Sequence, residues 1–221
     1  MDTFGFVSDI IGSLKLLKRT GWVRKGVPLP ESDSDHMHRC AMLAMMVPKD
    51  EEGDNLDTTK LLRMALTHDV CESIAGDITP HCTDKLHLKY EKEKAAMEQI
   101  RTMIGDPLGK ELYELWKEYE DQESREAIYC KDIDKFEMVV QAYEYEKMHL
   151  KNCDDADKTQ TDVTNEPLRD FFESTNDTFK TPFFRKLDKE LREKRETMLK
   201  EKGWTVTDGE YQRPLKRPAE E

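Results

Sequence analysis

Apolar residues recur at helical spacing along almost the whole chain, and this periodicity constrains the fold more than any other feature of the sequence. Near the amino terminus, Phe6, Ile10 and Leu14 follow one another every four residues, which places their side chains on one face of a helix. The alternation of β-branched and polar residues that is typical of strands is almost absent. The sequence therefore predicts an all-α fold.

Glycine and proline residues divide this periodic chain into separate helices. Ser32 or Asp33 can cap a helix that ends before Pro48, because proline cannot continue the hydrogen-bonded ladder of a helix. Residues 76–80 interrupt the pattern again and predict a turn. The other predicted helices cover residues 6–17, 57–72, 83–103, 107–119, 124–148, 168–175 and 182–202.

The distribution of apolar residues indicates one helical domain, residues 1–202, followed by a tail. Residues 150–165 are polar and poor in apolar side chains, which predicts a flexible insertion within that domain. Residues 203–221 are rich in proline and charge, which predicts a tail outside the helical bundle. A chain of 221 residues is long enough to bury a core of its own.

The chain carries a formal net charge of −12, from 47 acidic and 35 basic residues. This balance argues against a nucleic-acid polymer as partner, since phosphate backbones are bound by clustered lysine and arginine side chains. A small phosphorylated ligand is compatible with the same balance, because it needs only a few local cations or a bound metal ion.

The five cysteines show no CxxC pair and no regular spacing; they are Cys40, Cys71, Cys82, Cys130 and Cys153. This pattern predicts reduced thiols in a cytoplasmic protein, with the nucleus as the alternative compartment. Residues 1–20 contain acidic side chains and no long apolar run, which is not typical of a secretory signal. No segment approaches the roughly 20 apolar residues of a membrane-spanning helix, so we expect no membrane partner.

The adjacent residues His68 and Asp69 form the centre of the candidate functional site, at the end of an apolar helical run. Glu72 lies three residues after Asp69, which puts both on neighbouring parts of one predicted helix face. Asp77 falls in the predicted turn that follows. A lone His-Asp pair is more often an ordinary helix end with its carboxylate in solvent, so the assignment needs candidates elsewhere in the chain.

Two such candidates are His36, at the start of a predicted helix, and Asp134, in a mostly apolar helix. Two imidazoles and two carboxylates suit a divalent ion that keeps positions open for water and a phosphate oxygen. Asp132 faces elsewhere on the same helix and is the weaker candidate, and His38 is expected at the surface or beside a ligand. Glu137, one turn after Asp134, is either the partner of a ligand or a member of an ordinary helix ion pair.

The ordered set of a histidine, a His-Asp pair and a later aspartate resembles the pattern of the HD-domain metal-dependent phosphohydrolases. The string HDxxExxxGD, which spans His68 to Asp77, makes this signal much more specific than the dipeptide alone. The stretches LKRTGW, PESDSDHMHR, ALTHDVCESIAGDITP and IDKFEMVVQAYEYE resemble the HD-domain-containing protein 2 group, the eukaryotic relatives of bacterial YfbR-type 5′-deoxynucleotidases. The resemblance covers most of residues 5–200 and implies an HD-domain helical bundle.

This resemblance implies one divalent metal ion, such as cobalt, manganese, magnesium or zinc. Its inferred ligands are His36, His68, Asp69 and Asp134. The resemblance also implies that the glutamate and the aspartate that follow the His-Asp pair act on the nucleophilic water and on the substrate. In this sequence those catalytic positions fall on Glu72 and Asp77.

The resemblance further implies two substrate-binding positions near the end of the first helix. An arginine that contacts the phosphate in the bacterial relatives falls here on Arg19. In those relatives a tryptophan directly after this arginine packs where a ribose 2′-hydroxyl would lie. In this chain Thr20 and Gly21 intervene, and Trp22 is the candidate for that role. Asp77 is the nearest candidate for contact with the substrate's leaving 5′-oxygen.

The implied activity is hydrolysis of 5′-deoxynucleoside monophosphates to a deoxynucleoside and phosphate, by a homodimer. One alternative is an HD-type phosphodiesterase, or a nucleotide or alarmone hydrolase, on the same scaffold. Another is a non-catalytic helical interaction protein in which the metal is structural. The presence of Glu72 and Asp77 favours catalysis, because a structural metal needs only its four ligands.

Four methionines lie at helical spacing in the predicted helices before the His-Asp pair; they are Met42, Met45, Met46 and Met64. Methionine side chains commonly fill irregular gaps in apolar cores. We therefore expect these four side chains to be buried and not to bind a metal.

Overall fold

The computed structural model describes residues 2–48, 56–79 and 88–205. Over these ranges the chain is mostly helical and has no β-strand, apart from an isolated bridge between Lys18 and Ser32. The prediction of an all-α fold is confirmed for the described residues. The helices are α1 (Thr3–Gly5, the π-helical Phe6–Ile11 and Gly12–Leu14), α2 (Thr20–Arg24), α3 (Asp33–Met46), α4 (Thr58–Ala65), α5 (Glu72–Ala75), α6 (Lys89–Ile104), α7 (Leu108–Asp121), α8 (Arg125–His149), α9 (Arg169–Glu173) and α10 (Pro182–Glu201).

Helix α3 begins where its sequence predicts, and a reciprocal cap fixes its first turn. The Ser32 hydroxyl accepts a hydrogen bond from the Asp35 N–H, while the Asp35 carboxylate accepts one from the Ser32 N–H at 2.8 Å. Such a capping box satisfies backbone N–H groups that have no partner within the helix. Because His36 follows Asp35 directly, the cap also fixes the position of His36.

The predicted helix over residues 57–72 is wrong in its second half, because α4 ends at Ala65 and residues 66–71 form turns. The Thr67 hydroxyl donates to the Arg63 carbonyl at 2.8 Å, and Nδ1 of His68 lies 3.0 Å from the Ala65 carbonyl oxygen. These side chains take up carbonyl groups that a continuing helix would bond. The His-Asp pair therefore projects from a turn between α4 and α5, and not from a helix face.

The predicted break at Gly21 is replaced by α2, which begins one residue earlier, at Thr20. The Thr20 N–H donates to a carboxylate oxygen of Asp77 at 2.6 Å, and the Thr20 hydroxyl donates to the Asp77 carbonyl at 3.0 Å. A carboxylate at a helix N-terminus stabilises the helix by bonding an N–H group and by opposing the positive end of the helix dipole. The cap lies 57 residues away in the sequence, so local patterns give no sign of it.

The chain divides into two compact units, residues 1–137 and residues 138–221, and α8 contributes residues to both. The core of the first unit joins α1, α3, α6 and α7. Its buried apolar side chains include Leu14, Met37, Met97, Ile100, Leu112 and Trp116. Within the second unit, the guanidinium of Arg195 donates to both oxygens of Glu146 at 2.8 and 2.9 Å and stacks 3.7 Å from the Phe172 ring centroid.

The segment predicted as a flexible insertion, residues 150–165, contains a short 3₁₀-helix and several side-chain turns. The Asp162 carboxylate accepts the backbone N–H of Thr164 at 2.9 Å, and Val163 is fully buried. The predicted tail lies mostly outside the described residues, which end at 205. Across the part of the chain that the structure describes, no helix is long and apolar enough to cross a membrane.

The expected burial of the methionines holds for Met64 only. Met64 is fully buried, but Met42, Met45 and Met46 are 49, 65 and 67 % exposed. These three residues lie on the face of α3 opposite to the one that faces the core. Helical spacing did not distinguish the two faces, because both of them carry apolar side chains.

Candidate active site

The structure brings together the four residues that the sequence proposes as metal ligands. The buried rings of His36 and His68 lie 5.4 Å apart between centroids. Nε2 of His36 is 3.3 Å from Oδ1 of Asp134 and 3.7 Å from Oδ2 of Asp69. Nε2 of His68 is 3.4 Å from that same Asp69 oxygen. Two imidazole nitrogens and two carboxylate oxygens therefore face one another within the first unit.

The hydrogen bonds of the two imidazoles leave one nitrogen of each ring facing this cluster. Nδ1 of His68 donates to the Ala65 carbonyl at 3.0 Å, and Nδ1 of His36 donates to Oε2 of Glu137 at 2.5 Å. Among the described residues, Nε2 of His68 is buried and has no hydrogen-bond partner. A neutral imidazole that donates from Nδ1 carries its lone pair on Nε2. These donor atoms fit a divalent cation.

The charges of the two aspartates also suit a cation. Burial alone would raise the pKa of Asp69, but His68 and Arg19 hold this pKa well below its usual range. Burial is likewise outweighed at Asp134, where the charge of Lys131 holds the pKa well below its usual range. Both carboxyl groups are therefore negative at neutral pH, which is the form that binds a metal ion.

Cys40 also approaches the cluster, and cysteine is a residue type that binds metal ions. Atoms of His36, Cys40 and His68 lie within 4.8 Å of one another. Sγ of Cys40 is 3.8 and 3.7 Å from Nδ1 and Nε2 of His36, so it lies over the ring and not beside one nitrogen. Burial raises the pKa of the thiol to about 12, whereas metals bind the thiolate. Cys40 therefore packs against His36 and is a poor ligand.

A second group of carboxylates surrounds Arg19 beside the first cluster. Oxygens of Asp33, Glu72 and Asp77 lie within 4.8 Å of one another. NH1 of Arg19 is 3.0 Å from Asp69 and 3.6 Å from both Asp33 and Glu72. The guanidinium thus offsets the repulsion between carboxylates that would otherwise oppose burial. It is also a positive group next to the candidate metal site.

Glu72 stands out among these acids, because its side chain is 3 % exposed. Its Oε2 has no hydrogen-bond partner among the described residues. Burial and the charge of Asp69 raise the pKa of Glu72 well above its usual range, against the opposing effect of Arg19. Burial also raises the pKa of Asp33, to about 6. A buried carboxylate with a raised pKa is suited to accept a proton near neutral pH.

Trp22 lies on α2 and is 2 % exposed. Its indole N–H donates to Oε1 of Glu31 at 2.7 Å. Burial and the charge of Glu137 raise the pKa of Glu31 to about 7. Because Arg19 precedes α2 and Asp77 caps it, the three substrate-binding residues proposed from the sequence are linked through this short helix.

Sequence reasoning missed two residues that hold Asp134. The Tyr119 hydroxyl donates to Oδ2 of Asp134 at 2.6 Å, and its ring lies 4.9 Å from that of His68. Nζ of Lys131 lies 3.1 Å from the same oxygen. These contacts leave Oδ1 of Asp134 to face His36. Lys131 and Asp134 lie three residues apart on one helix, so their contact could have been predicted from the sequence. Tyr119 lies on α7, and no local pattern indicates its contact with Asp134.

The structure also shows the positions of the other residues that the sequence analysis considered as ligands or as neighbours of ligands. Asp132 is buried, but the carboxylate that reaches His36 belongs to Asp134. His38 is exposed, as expected of a surface histidine. Glu137 contacts the Nδ1 atom of His36, so it partners a proposed ligand and also forms an ion pair with Arg39.

A family model described as the HD domain matches residues 11–176. This range includes every residue of the two clusters described above. The match covers most of the chain, and the chain therefore belongs to the HD domain family.

Individual proteins also resemble this chain over most of its length. A protein named 5′-deoxynucleotidase HDDC2 from Dictyostelium discoideum is 45 % identical over 192 residues, which cover 84 % of this chain and 95 % of the relative. The Homo sapiens protein of the same name is 42 % identical, over 86 % of this chain and 85 % of the relative. A solved structure described as a conserved hypothetical protein from Pyrococcus furiosus has a TM-score of 0.69 at 28 % identity, and the match covers 86 % of this chain and 99 % of that one.

Proposed function

We propose that this chain hydrolyses 5′-deoxynucleoside monophosphates to a deoxynucleoside and phosphate, with the help of one divalent metal ion. The observation that carries the proposal is the approach of His36, His68, Asp69 and Asp134 to one another, beside Arg19. The substrate class is supported by the relatives named 5′-deoxynucleotidase, which are 42 to 45 % identical over most of the chain.

The four ligands would hold the ion through two nitrogen and two oxygen atoms. Such a set accepts manganese, cobalt, magnesium or zinc, so cellular availability contributes to the choice. When bound, the ion lowers the pKa of a bound water and neutralises phosphate charge. The protein's own contribution is to fix these four side chains in a buried site.

Glu72 is the proposed proton acceptor for the attacking water. It is buried, one of its oxygens has no hydrogen-bond partner among the described residues, and its pKa is raised by burial and by Asp69. These properties allow it to take a proton as the oxygen–phosphorus bond forms. A purely structural metal site would not need such an acid beside its ligands, so Glu72 favours catalysis over the non-catalytic alternative.

Arg19 and Asp77 are the proposed contacts to the two ends of the phosphate ester. The planar guanidinium of Arg19 can pair with non-bridging phosphate oxygens while it stays next to Asp69. Asp77, which is held by the Thr20 N–H, is the nearest group that could act on the leaving 5′-oxygen. Hydrolysis then transfers the phosphoryl group directly to water, without a covalent enzyme intermediate. The water oxygen bonds to phosphorus as its proton passes to Glu72, the bond between phosphorus and the 5′-oxygen breaks, and the 5′-oxygen takes up a proton and leaves as the hydroxyl of the deoxynucleoside.

Trp22 is the proposed origin of the preference for deoxyribose. Its indole is buried, and its N–H is engaged with Glu31, so the ring cannot turn easily to make room. A fixed aromatic wall would exclude a 2′-hydroxyl by contact and would leave that hydroxyl without a hydrogen-bond partner. Loss of a partner for a buried hydroxyl costs about 1–3 kcal/mol.

A single HD domain over residues 1–202 with a tail over 203–221 is the organisation that we propose, with residues 150–165 as a flexible insertion. We also propose a cytoplasmic location, with the nucleus as the alternative compartment. This location is supported by the thiols of Cys40, Cys71, Cys130 and Cys153, which are all unpaired.

The proposed reaction is tested with metal-stripped protein to which each divalent ion is restored in turn. We expect phosphate release from deoxynucleoside monophosphates, and slower release from the matching ribonucleotides. Activity confined to phosphodiesters would support the phosphodiesterase alternative. A bound metal without turnover of any nucleotide would support a structural role for the site.

Variants of the two clusters separate metal binding from proton transfer. Asp69→Ala should remove the metal, because it deletes a ligand, whereas Asp132→Asn is a matched control that should retain it. Glu72→Gln should retain the metal and lower kcat by about 10²–10⁴-fold, the usual contribution of general acid–base catalysis. Metal content by atomic emission and phosphate release by colorimetry check both expectations. A full metal equivalent in Asp69→Ala would remove this residue from the ligand set.

Replacement of Trp22 tests sugar selectivity. In Trp22→Ala we expect the ratio of kcat/KM for a deoxyribonucleotide to that for its ribonucleotide to fall by about tenfold, in line with steric discrimination in apolar pockets. Trp22→Phe keeps an aromatic ring and should shift the ratio less. If neither variant moves the ratio, Trp22 only fills the core of the first unit.

The homodimer is proposed on the resemblance to dimeric relatives and on the exposed face of α3. Met42, Met45 and Met46 expose apolar surface on that helix, and exposed apolar patches often mark protein–protein contacts. Light scattering should give twice the chain mass of 25.9 kDa. Met45→Lys should shift the mass towards the monomer, and a wild-type mass of one chain would contradict the proposal.

A further inference from the structure

Two of the proposed ligands each have a charged neighbour three residues further along the same helix. Arg39 follows His36 on α3, and Glu137 follows Asp134 on α8. Residues three apart project from the same side of a helix. The two helices face each other through these pairs, because Glu137 contacts both His36 and Arg39.

The contacts of Glu137 use both of its oxygens. Oε2 accepts the hydrogen bond from Nδ1 of His36 at 2.5 Å. Oε1 accepts a hydrogen bond from Nε of Arg39 at 2.8 Å and lies 2.7 Å from NH2 of the same guanidinium. Glu137 and His36 are fully buried, whereas the Arg39 side chain is 31 % exposed. The carboxylate is thus held rigidly between a buried imidazole and a guanidinium that reaches in from the surface.

We propose that Glu137, held by Arg39, is a positioning residue that fixes the His36 ring with Nε2 towards the metal site and thereby increases metal affinity. This inference rests on the proposed metal site and goes beyond its four ligands. Glu137 touches neither the substrate nor the reacting atoms in this role. It acts through His36 alone.

The physical reason lies in the two nitrogens of the imidazole. A hydrogen bond from Nδ1 to a carboxylate selects the tautomer with its lone pair on Nε2 and prevents rotation of the ring. Nε2 of His36 then stays 3.3 Å from Oδ1 of Asp134. A carboxylate behind an imidazole also increases the basicity of the metal-binding nitrogen. Removal of such partners commonly weakens metal affinity by about 10–100-fold.

Arg39 has a distinct part in this arrangement. A lone buried carboxylate is costly, and here the guanidinium compensates the charge of Glu137 through a hydrogen bond and an ion pair. The pair therefore presents Nδ1 of His36 with a charged and oriented acceptor.

The test measures Co²⁺ affinity of the full chain by competition with a chelator, without reference to catalysis. The variants are Arg39→Ala and Glu137→Gln, with His36→Ala as the ligand deletion. Glu146→Gln is the matched control, because Glu146 is equally buried and is paired with Arg195 within the second unit. We expect the first two variants to weaken Co²⁺ binding by about 10–100-fold, and the control to bind Co²⁺ as the wild type does.

A second readout follows the His36 ring itself. Long-range ¹H–¹⁵N spectra of the ring nitrogens should show protonated Nδ1 in the wild type, and a loss of that single tautomer in Arg39→Ala and Glu137→Gln. A mere contribution to folding would change the melting temperature of Glu137→Gln and Glu146→Gln alike and leave the ring nitrogens unchanged.

Wild-type Co²⁺ affinity in folded Arg39→Ala and Glu137→Gln would overturn the proposal, as would an equal loss in Glu146→Gln. If Glu137→Gln does not fold, Arg39→Ala decides the outcome, because Arg39 is partly exposed and its loss removes less buried structure. Unchanged binding in His36→Ala would instead contradict the metal site itself. Loss in His36→Ala alone would leave that site intact and reject only the role of Glu137.

Discussion

The site depends on the burial of several negative charges around two imidazoles. Asp69 and Asp134 both lie close to Nε2 of His36. The negative charge of Asp69 also raises the pKa of Glu72. Carboxylates in a low-dielectric interior repel one another and are costly to desolvate. Arg19 on one side and Lys131 on the other offset part of this cost through direct contacts. A divalent cation would neutralise much of the remaining charge, which is why the arrangement favours metal binding over an ordinary ion-pair network.

Most residues of the site lie near the ends of helices or in the turns next to them, and not in the middle of a helix face. The capping box of α3 fixes its first turn and therefore His36. The end of α4 at Ala65 turns the His-Asp pair towards that histidine. Asp77 links the turn after α5 to the start of α2, where Arg19 and Trp22 lie. Groups at helix ends have free backbone partners and suit both capping and ligand binding.

Three of the four proposed ligands are supported by groups that do not bind the metal. Glu137 and Arg39 hold His36, the Ala65 carbonyl holds His68, and Tyr119 with Lys131 holds one oxygen of Asp134. Such outer contacts restrict each side chain to one orientation, so less conformational entropy is lost on binding. The same network reaches Trp22 through Glu31, whose carboxylate lies within 4.8 Å of His36 and Glu137 atoms. The residue proposed for sugar selectivity and those proposed for metal binding therefore lie close together within the first unit.

The sequence by itself determined the all-α class, most helix positions and the identity of the candidate ligands. Helical periodicity and capping residues are local signals, and the HDxxExxxGD string is a local motif. Only the tertiary structure decided that residues 66–71 leave the helix, that Asp77 caps α2, and that Met42, Met45 and Met46 face outwards. It also decided how Tyr119, Glu137 and Arg39 orient the ligands. The physical reason is that most of these outcomes, such as the cap from Asp77 to Thr20, depend on contacts between residues far apart in the chain, whereas periodicity and motifs report only on near neighbours. At the end of α4 the side-chain bonds of Thr67 and His68 are local, but helical periodicity does not show them.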